Sequence, residues 1–330
     1  MSALDFESTS KTITAGRFEL HYHEAGENSV AEPENSVPVL FLHGSGPGVT
    51  AWSNFAGNFP VFAEQFHTIL LDMPGFGKSG DLEWEKAYPK IAAEAIDAFC
   101  EAKGIEKVDN VGNSMGGNVA CEAALAYPDR VRKMALMGPG GLAAPLFTPE
   151  PSEGSRRLFE FLADPTDDKM SAWVDTMVGN KKVVSDELIR ARTEAATAPG
   201  AVERMYSIFG SILKPENAYT PLYARASQIR QETLIIWGRD DRMLPYEQAH
   251  FAFRQLPKAE LHAFARCGHW AMIEQKDKFE RLVIDFFTTD APSGSSGSPG
   301  GAQALASGHE RNAAARPARR RGPADRPADR

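Results

Sequence analysis

The sequence predicts an α/β fold: a mostly parallel central sheet, helices on both faces, and a helical cap over one end. Three observations carry this expectation. Short apolar runs stop repeatedly at Gly or Pro, helical periodicity fills the intervals between them, and one long segment breaks the alternation by being helical throughout. Alternating strands and helices imply a doubly wound sheet, because a parallel pair needs a crossover helix and the helices cover both faces.

The strands come first. Val37 to Leu42 is an apolar run that stops at His43-Gly44. His67 to Asp72 leads into Met73-Pro-Gly-Phe-Gly77, and the weaker run Val108 to Val111 stops at Gly112. Met134 to Met137 ends at Gly138, Thr233 to Trp237 ends at Gly238, and Leu261 to Phe264 stops before Cys267-Gly268. Short apolar runs bounded in this way read as buried parallel strands. The helices follow from spacing. Ile91, Ala95, Ile96 and Phe99 lie on one face of a helix over 91–100, 118–126 is Ala-rich, and 247–256 and 279–287 are amphipathic.

From 144 to 213 the rhythm changes. Pro145, Pro149 and Pro151 open a segment with helical patterns over 156–162, 169–178, 185–196 and 201–212 and no strand. Inserted between two strands, it would cover their carboxyl ends. The expected organisation is therefore a core over 1–143, a cap over 144–213, the second part of the core over 214–290, and a tail over 291–330. The tail is Ser, Gly, Pro, Ala and Arg, with almost no large apolar side chain. It cannot bury enough surface to offset the entropy of ordering, so disorder is expected. No internal repeat is present.

Charge and cysteine content exclude several classes. The net charge is −8; the last forty residues carry +4, which leaves −12 on the body. So acidic a body argues against nucleic acid as a partner. No apolar run approaches the ~18 residues of a membrane span. The opening residues lack the basic start and apolar stretch of a signal peptide, so the cytoplasm is the expected compartment. Cys100, Cys121 and Cys267 form no C-x-x-C pair. They read as small core residues, with neither a disulfide nor a metal site expected.

The chemistry concentrates at the strand ends, where α/β sheets place their sites. Gly112-Asn-Ser-Met-Gly116 is a G-x-S-x-G pentapeptide between a strand and an Ala-rich helix. That context marks a nucleophile elbow, with Ser114 at a sharp turn above the sheet and the Met115 N–H facing a developing oxyanion. A serine hydroxyl is a poor nucleophile without a base. In this fold, the α/β-hydrolase fold, the chain order is serine, acid, histidine. His250 is mid-helix, His262 lies in a strand pattern and His309 is in the tail, which leaves His269 just beyond a strand as the general base. Asp240 and Asp241 both follow Trp237-Gly-Arg239; the pattern G-x-x-D-x-x-x-P, from Gly238 to Pro245, selects Asp241. Its role is to hold the imidazole in the correct tautomer. The early loop His43-Gly-Ser-Gly-Pro-Gly48 is expected to supply the second oxyanion donor, the Ser45 N–H. Gly44 and Gly46 let backbone approach the substrate. His43 reads as a brace for that loop and Asp72 as a turn-former.

Together these segments resemble a known family. His43-Gly-Ser-Gly-Pro-Gly48 with Trp52-Ser-Asn54, Gly112-Asn-Ser-Met-Gly-Gly117, Gly138-Pro-Gly-Gly-Leu142, Trp237-Gly-Arg-Asp-Asp-Arg242 and Cys267-Gly-His-Trp270 are similar to the meta-cleavage product hydrolases. These are carbon–carbon bond hydrolases of aromatic and steroid degradation. The resemblance spans about residues 10–290, cap included. It implies a 2-hydroxy-6-oxo-hexa-2,4-dienoate substrate, ketonised and then cleaved by water, with Ser114 attacking or helping water to attack. It also implies that a cap arginine binds the dienoate carboxylate; Arg192 matches, with Arg190 two residues away. Asn54, Asn113 and Trp270 match positions lining the dienoate pocket. No cofactor or metal is implied, and the family forms homodimers or larger assemblies. Where the family more often has a third glycine, this chain has Ser45, a change that a backbone donor tolerates. Motifs of the monocyclic and of the biphenyl and steroid branches mix here, so the C6 substituent stays open. Phe147, Met177 and Phe209 are candidate cap surfaces for it.

Two rivals remain. An ester or lactone hydrolase would use the same Ser, His and Asp but has no carboxylate for Arg192 to pair. A non-catalytic ligand-binding protein of this fold would be expected to have lost a triad member, and none is lost.

Overall fold

The most apolar segments of the chain form the centre of an eight-stranded sheet. A computed structural model describes residues 4–27, 37–143, 151–214 and 217–289. The strands are β1 (Ser10–Ala15), β2 (Phe18–Ala25), β3 (Val39–Leu42), β4 (Thr68–Leu71), β5 (Val108–Asn113), β6 (Val131–Met137), β7 (Glu232–Gly238) and β8 (Ala259–Phe264). They lie in the order β1-β2-β4-β3-β5-β6-β7-β8. The pairs β1–β2 and β2–β4 are antiparallel and the rest are parallel. Every residue of β3, β4 and β5 is buried. A strand buried on both faces needs cover on both sides, which the crossover helices supply.

The crossover helices are α2 (Ala51–Phe55), α3 (Phe59–Ala63), α4 (Tyr88–Lys103), α5 (Met115–Ala126) and α10 (Glu247–Gln255); α1 (Phe6–Thr9) precedes the first strand, and α11 (Ala271–Glu274) and α12 (Lys276–Thr288) follow the last. Between β6 and β7 come α6 (Glu153–Ala163), α7 (Asp167–Met177), α8 (Asp186–Ala196) and α9 (Ala201–Leu213). Polar caps set where three of these four begin: Ser152, Thr166 and Ser185 each accept a backbone N–H of the first turn. Each of the four patterns read from the sequence is a helix here. Residues 1–289 form one compact unit, so the cap helices pack in the same body as the sheet. The tail, and with it the expectation of disorder, lies outside the described residues, as does Phe147. Among the described residues no helix is long and apolar enough to cross a membrane.

The hairpin β1–β2 is absent from the sequence reading. Its second strand is buried almost throughout, yet it contains His21, His23 and Glu24. Polar side chains inside the sheet broke the apolar pattern, and each of them is buried with a partner. Glu24 accepts from Lys11 at 2.8 Å, Lys103 at 2.8 Å and His67 at 2.8 Å. His21 Nδ1 lies 2.7 Å from Asp72 Oδ2. His23 Nδ1 lies 3.0 Å from the Thr9 hydroxyl, while its Nε2 is buried without a partner among the described residues.

Burial holds the His23 imidazole neutral, its pKa pushed down to about 4, with the neighbouring His21 adding to the effect. The unfolded chain binds this proton near pH 6.5 and the native chain only near 4. Stability therefore falls as pH drops through that window. Urea midpoints measured from pH 7 to pH 4 should decline less steeply in His23→Gln than in the parent; equal slopes would remove His23 as a source of the acid sensitivity.

Cys100, Cys121 and Cys267 are all free and buried, and burial raises each thiol pKa. They are core residues, as expected.

Candidate active site

The site begins at the turn between β5 and α5. Ser114 sits there alone, at φ 54° and ψ −112°, a backbone region that non-glycine residues avoid. The turn can be this tight because its flanks lack Cβ atoms. A Cβ on Gly116 would lie 2.1 Å from the Leu42 carbonyl oxygen, and one on Gly112 would lie 2.7 Å from that of Gly116. The Ser114 N–H donates to Met137 O at 2.9 Å, and the Ser114 carbonyl accepts from Gly117, Asn118 and Gly140. The strained residue is thus fixed by four backbone bonds, with its hydroxyl left over.

His269 and Asp241 form a buried pair. His269 Nδ1 lies 2.7 Å from Asp241 Oδ2. The other oxygen, Oδ1, accepts from the Met243 N–H at 2.8 Å and the Leu244 N–H at 2.9 Å. With both carboxylate oxygens engaged, the Nδ1 proton faces the acid and Nε2 is free to accept. Asp240 instead is exposed, 3.6 Å from Arg239. Among the described residues no hydrogen bond joins the Ser114 hydroxyl to the imidazole, although both border one pocket. Such bonds are often long in unliganded sites.

The backbone around Ser114 offers donors. Among the described residues neither the Ser45 N–H nor the Met115 N–H has an acceptor. The Gly44 N–H, by contrast, donates to Asn54 Oδ1 at 3.1 Å. The first loop is braced from behind. His43 Nδ1 lies 2.8 Å from Gly44 O, and its Nε2 accepts from the Met73 N–H at 3.1 Å. Burial holds that imidazole neutral, its pKa below the ordinary value. Asp72 ties the same region together, accepting from the Ala51 N–H at 2.7 Å. Both residues are structural, as their sequence contexts implied.

One small cavity gathers most of the expected residues: Gly44, Ser45, Asn54, Asn113, Ser114, Arg192, His269 and Trp270. Asn113 Nδ2 is 3.4 Å from the His269 carbonyl, linking the elbow to the histidine loop. Arg192, from α8, lies with its guanidinium 4.4 Å from the centre of the Trp270 ring. It has no carboxylate partner among the described residues, and burial lowers its pKa to about 10. Arg190 is exposed and points elsewhere. Two expected residues stand apart. Met115 does not border the cavity, and Gly46 lies under the cap residue Trp173, lining a second pocket. Met177 borders the cavity, whereas Phe209 packs near Phe159 instead.

The structure adds residues that sequence reasoning missed. Val49, Trp173 and Met243 also line the cavity. Glu274 clasps the cap to the histidine loop: its carboxylate accepts from the Gly179 and Asn180 N–H groups, each at 2.8 Å, and from the Gly268 N–H at 2.8 Å. The end of α7 reinforces this. Met177 O accepts from the His269 N–H at 2.7 Å, and Thr176 O accepts from Arg242 at 3.3 Å. The only sequence signal for Glu274 was its place five residues after His269, which names no partner.

Chemically, the arrangement places a hydroxyl, an imidazole–carboxylate pair, the free Ser45 N–H and a desolvated cation around one small cavity, with the free Met115 N–H next to Ser114 in the chain. Comparison with known proteins identifies the family. The model of the alpha/beta hydrolase fold matches residues 37–276. A 2-hydroxy-6-oxo-6-phenylhexa-2,4-dienoate hydrolase of Burkholderia cepacia is 36% identical over 292 residues, covering 87% of this chain and 99% of that protein. A 2-hydroxy-6-oxononadienedioate/2-hydroxy-6-oxononatrienedioate hydrolase of Comamonas testosteroni is also 36% identical, with the same coverage of 87% and 99%. Among solved structures, the meta-cleavage product hydrolase CumD of Pseudomonas fluorescens, a serine-to-alanine mutant complexed with acetates, superposes with a TM-score of 0.74 at 33% identity, covering 86% of this chain and 98% of that one. The chain belongs to the meta-cleavage product hydrolases, the 2-hydroxy-6-oxo-dienoate hydrolases of the alpha/beta hydrolase fold.

Proposed function

We propose that this chain hydrolyses a C–C bond of a 2-hydroxy-6-oxo-hexa-2,4-dienoate, with Ser114 as nucleophile, His269 as base and Asp241 as its orienting acid. The observation that carries this reading over plain ester hydrolysis is Arg192. Arg192 is half-buried, its guanidinium desolvated in the pocket that Ser114 borders, with no carboxylate partner among the described residues. A desolvated cation without a partner is costly, so a site that keeps one is built for an anionic ligand. The dienoate carboxylate meets that need; a neutral ester does not.

The chemistry then follows from charge flow. With the carboxylate on Arg192, the 2-hydroxyl loses its proton and C5 gains one, which gives the 2,6-dioxo-hex-3-enoate. Ser114, its proton passing to His269 Nε2, adds to the C6 ketone. The oxyanion that forms is received by the Ser45 and Met115 N–H groups. The C5–C6 bond breaks, and its electron pair moves through C3–C4 to the C2 oxygen, so that the leaving group is a dienolate rather than a bare carbanion. Protonation gives 2-hydroxypenta-2,4-dienoate. Water, activated by His269, releases the acyl group from Ser114 as a carboxylic acid. One water is consumed per bond cleaved. In this reading α6–α9 serve as the cap that keeps bulk water from the enolate.

A direct comparison tests it. The purified chain should show a kcat/KM for a 6-phenyl dienoate at least ~10²-fold above that for phenyl acetate, since only the dienoate engages Arg192. A higher value for the ester would overturn the assignment.

A further inference from the structure

The residues lining the cavity include one with an unused donor. Trp173, on α7, is 1% exposed and borders the cavity. Its ring stacks on Phe161, with centroids 6.2 Å apart and planes 23° apart. One ring edge rests on Gly46, where a Cβ would come within 2.8 Å of Trp173 Cη2. The ring is thus wedged from two sides. Yet the indole N–H is buried without any acceptor among the described residues. Buried polar atoms are nearly always paired, and an orphan at a ligand site calls for an explanation in the ligand. The neighbours of Trp173 on this wall, Val49, Met177 and Met243, supply no side-chain donor or charge. Met177 is four residues along α7 and shares its face.

We propose that Trp173 Nε1–H is a specificity donor, and that the preferred substrate has a neutral acceptor oxygen, a hydroxyl, ether or carbonyl, in the substituent on C6. The inference rests on the dienoate reading above, in which Arg192 takes the substrate carboxylate and so leaves this wall to the other end of the molecule. A second carboxylate is disfavoured there. One neutral N–H amid Met and Val side chains does not offset the desolvation of a full charge. A plain phenyl substituent leaves the N–H unpaired, which costs more than the bond itself gains.

The test is a set of four dienoates: 6-phenyl and its 2-, 3- and 4-hydroxyphenyl analogues. In the wild type at least one hydroxyphenyl isomer should exceed 6-phenyl in kcat/KM by roughly tenfold, the scale of one hydrogen bond at a buried site. Trp173→Phe keeps the ring and deletes the donor, so it should lower kcat/KM for that isomer by roughly tenfold more than for 6-phenyl. The wild-type preference needs no variant and stands even if Trp173→Phe folds poorly. The proposal fails if no isomer exceeds 6-phenyl, or if Trp173→Phe lowers all four substrates by the same factor. If the wild type cleaves none of the four, the dienoate reading itself fails, and this inference with it.

Discussion

Ser114→Ala is expected to lower turnover of a 6-aryl dienoate by ~10⁴-fold or more while the fold stays intact. The hydroxyl makes no hydrogen bond among the described residues, and the four backbone bonds that hold the turn do not involve it. Its removal should shift stability by no more than about 0.5 kcal/mol, the range for a side chain without partners. Asp241→Asn should be nearly as damaging, for a different reason. Oδ1 is held by the Met243 and Leu244 N–H groups, so in the variant the oxygen stays there and the amide nitrogen faces His269 Nδ1. Nδ1 must then accept, Nε2 must carry the proton, and the base is lost in the wrong tautomer. The expected loss is about 10⁴-fold. Steady-state kinetics on the two variants, with circular dichroism as the fold control, check both values. Retention of a tenth of the parental rate in either would remove that residue from the machinery.

Arg192→Met should separate function from stability. Methionine approximates the stem and deletes the charge. Losing the partner of a buried carboxylate typically costs 2–5 kcal/mol, so kcat/KM for a dienoate should fall on the order of 10²–10³-fold. The free protein should respond in the opposite sense. It no longer buries a guanidinium whose pKa is already depressed to about 10 by desolvation. A gain of about 1 kcal/mol, ~2–4 °C in Tm, is expected for a chain of this size. Hydrolysis of a neutral ester should change far less than hydrolysis of the dienoate, because the ester never used the charge. Equal losses on both substrates would mean that Arg192 supports the site structurally rather than by pairing. Arg190→Met, on the same helix but exposed, is the control for surface charge.

What the sequence made legible depended on whether a residue acts through its neighbours in the chain or through space. The elbow was legible because its chemistry is local: strand, glycine, serine, glycine and helix are consecutive, and the backbone angle at Ser114 follows from them. Asp241 and His269 were legible because each ends a strand, and the sheet brings strand ends together. Choosing Arg192 over Arg190 relied on family resemblance; the structure supplies the physical reason, since only one of the two faces inward from α8. The hairpin β1–β2 was illegible for the opposite reason. Its buried His21, His23 and Glu24 are paired with Asp72, Thr9, Lys11, His67 and Lys103, partners mostly distant in sequence. Trp173 and Glu274 belong to the same class. A tryptophan on an amphipathic helix looks like core, and only the absence of a partner for its N–H distinguishes it. A lone glutamate after a catalytic loop looks solvated, and only the three backbone donors it receives show that it joins cap to core.

The central claim is that this site cleaves a carbon–carbon bond by adding water across it. The most direct measurement incubates the purified chain with a yellow 6-phenyl dienoate in ¹⁸O-labelled water, following the colour and then identifying the products by mass. The absorbance should bleach, 2-hydroxypenta-2,4-dienoate and benzoate should appear in equal amounts, and the benzoate should bear label from water. Bleaching without benzoate would reduce the site to a tautomerase. Unchanged colour from a preparation that still hydrolyses simple esters would contradict the claim outright.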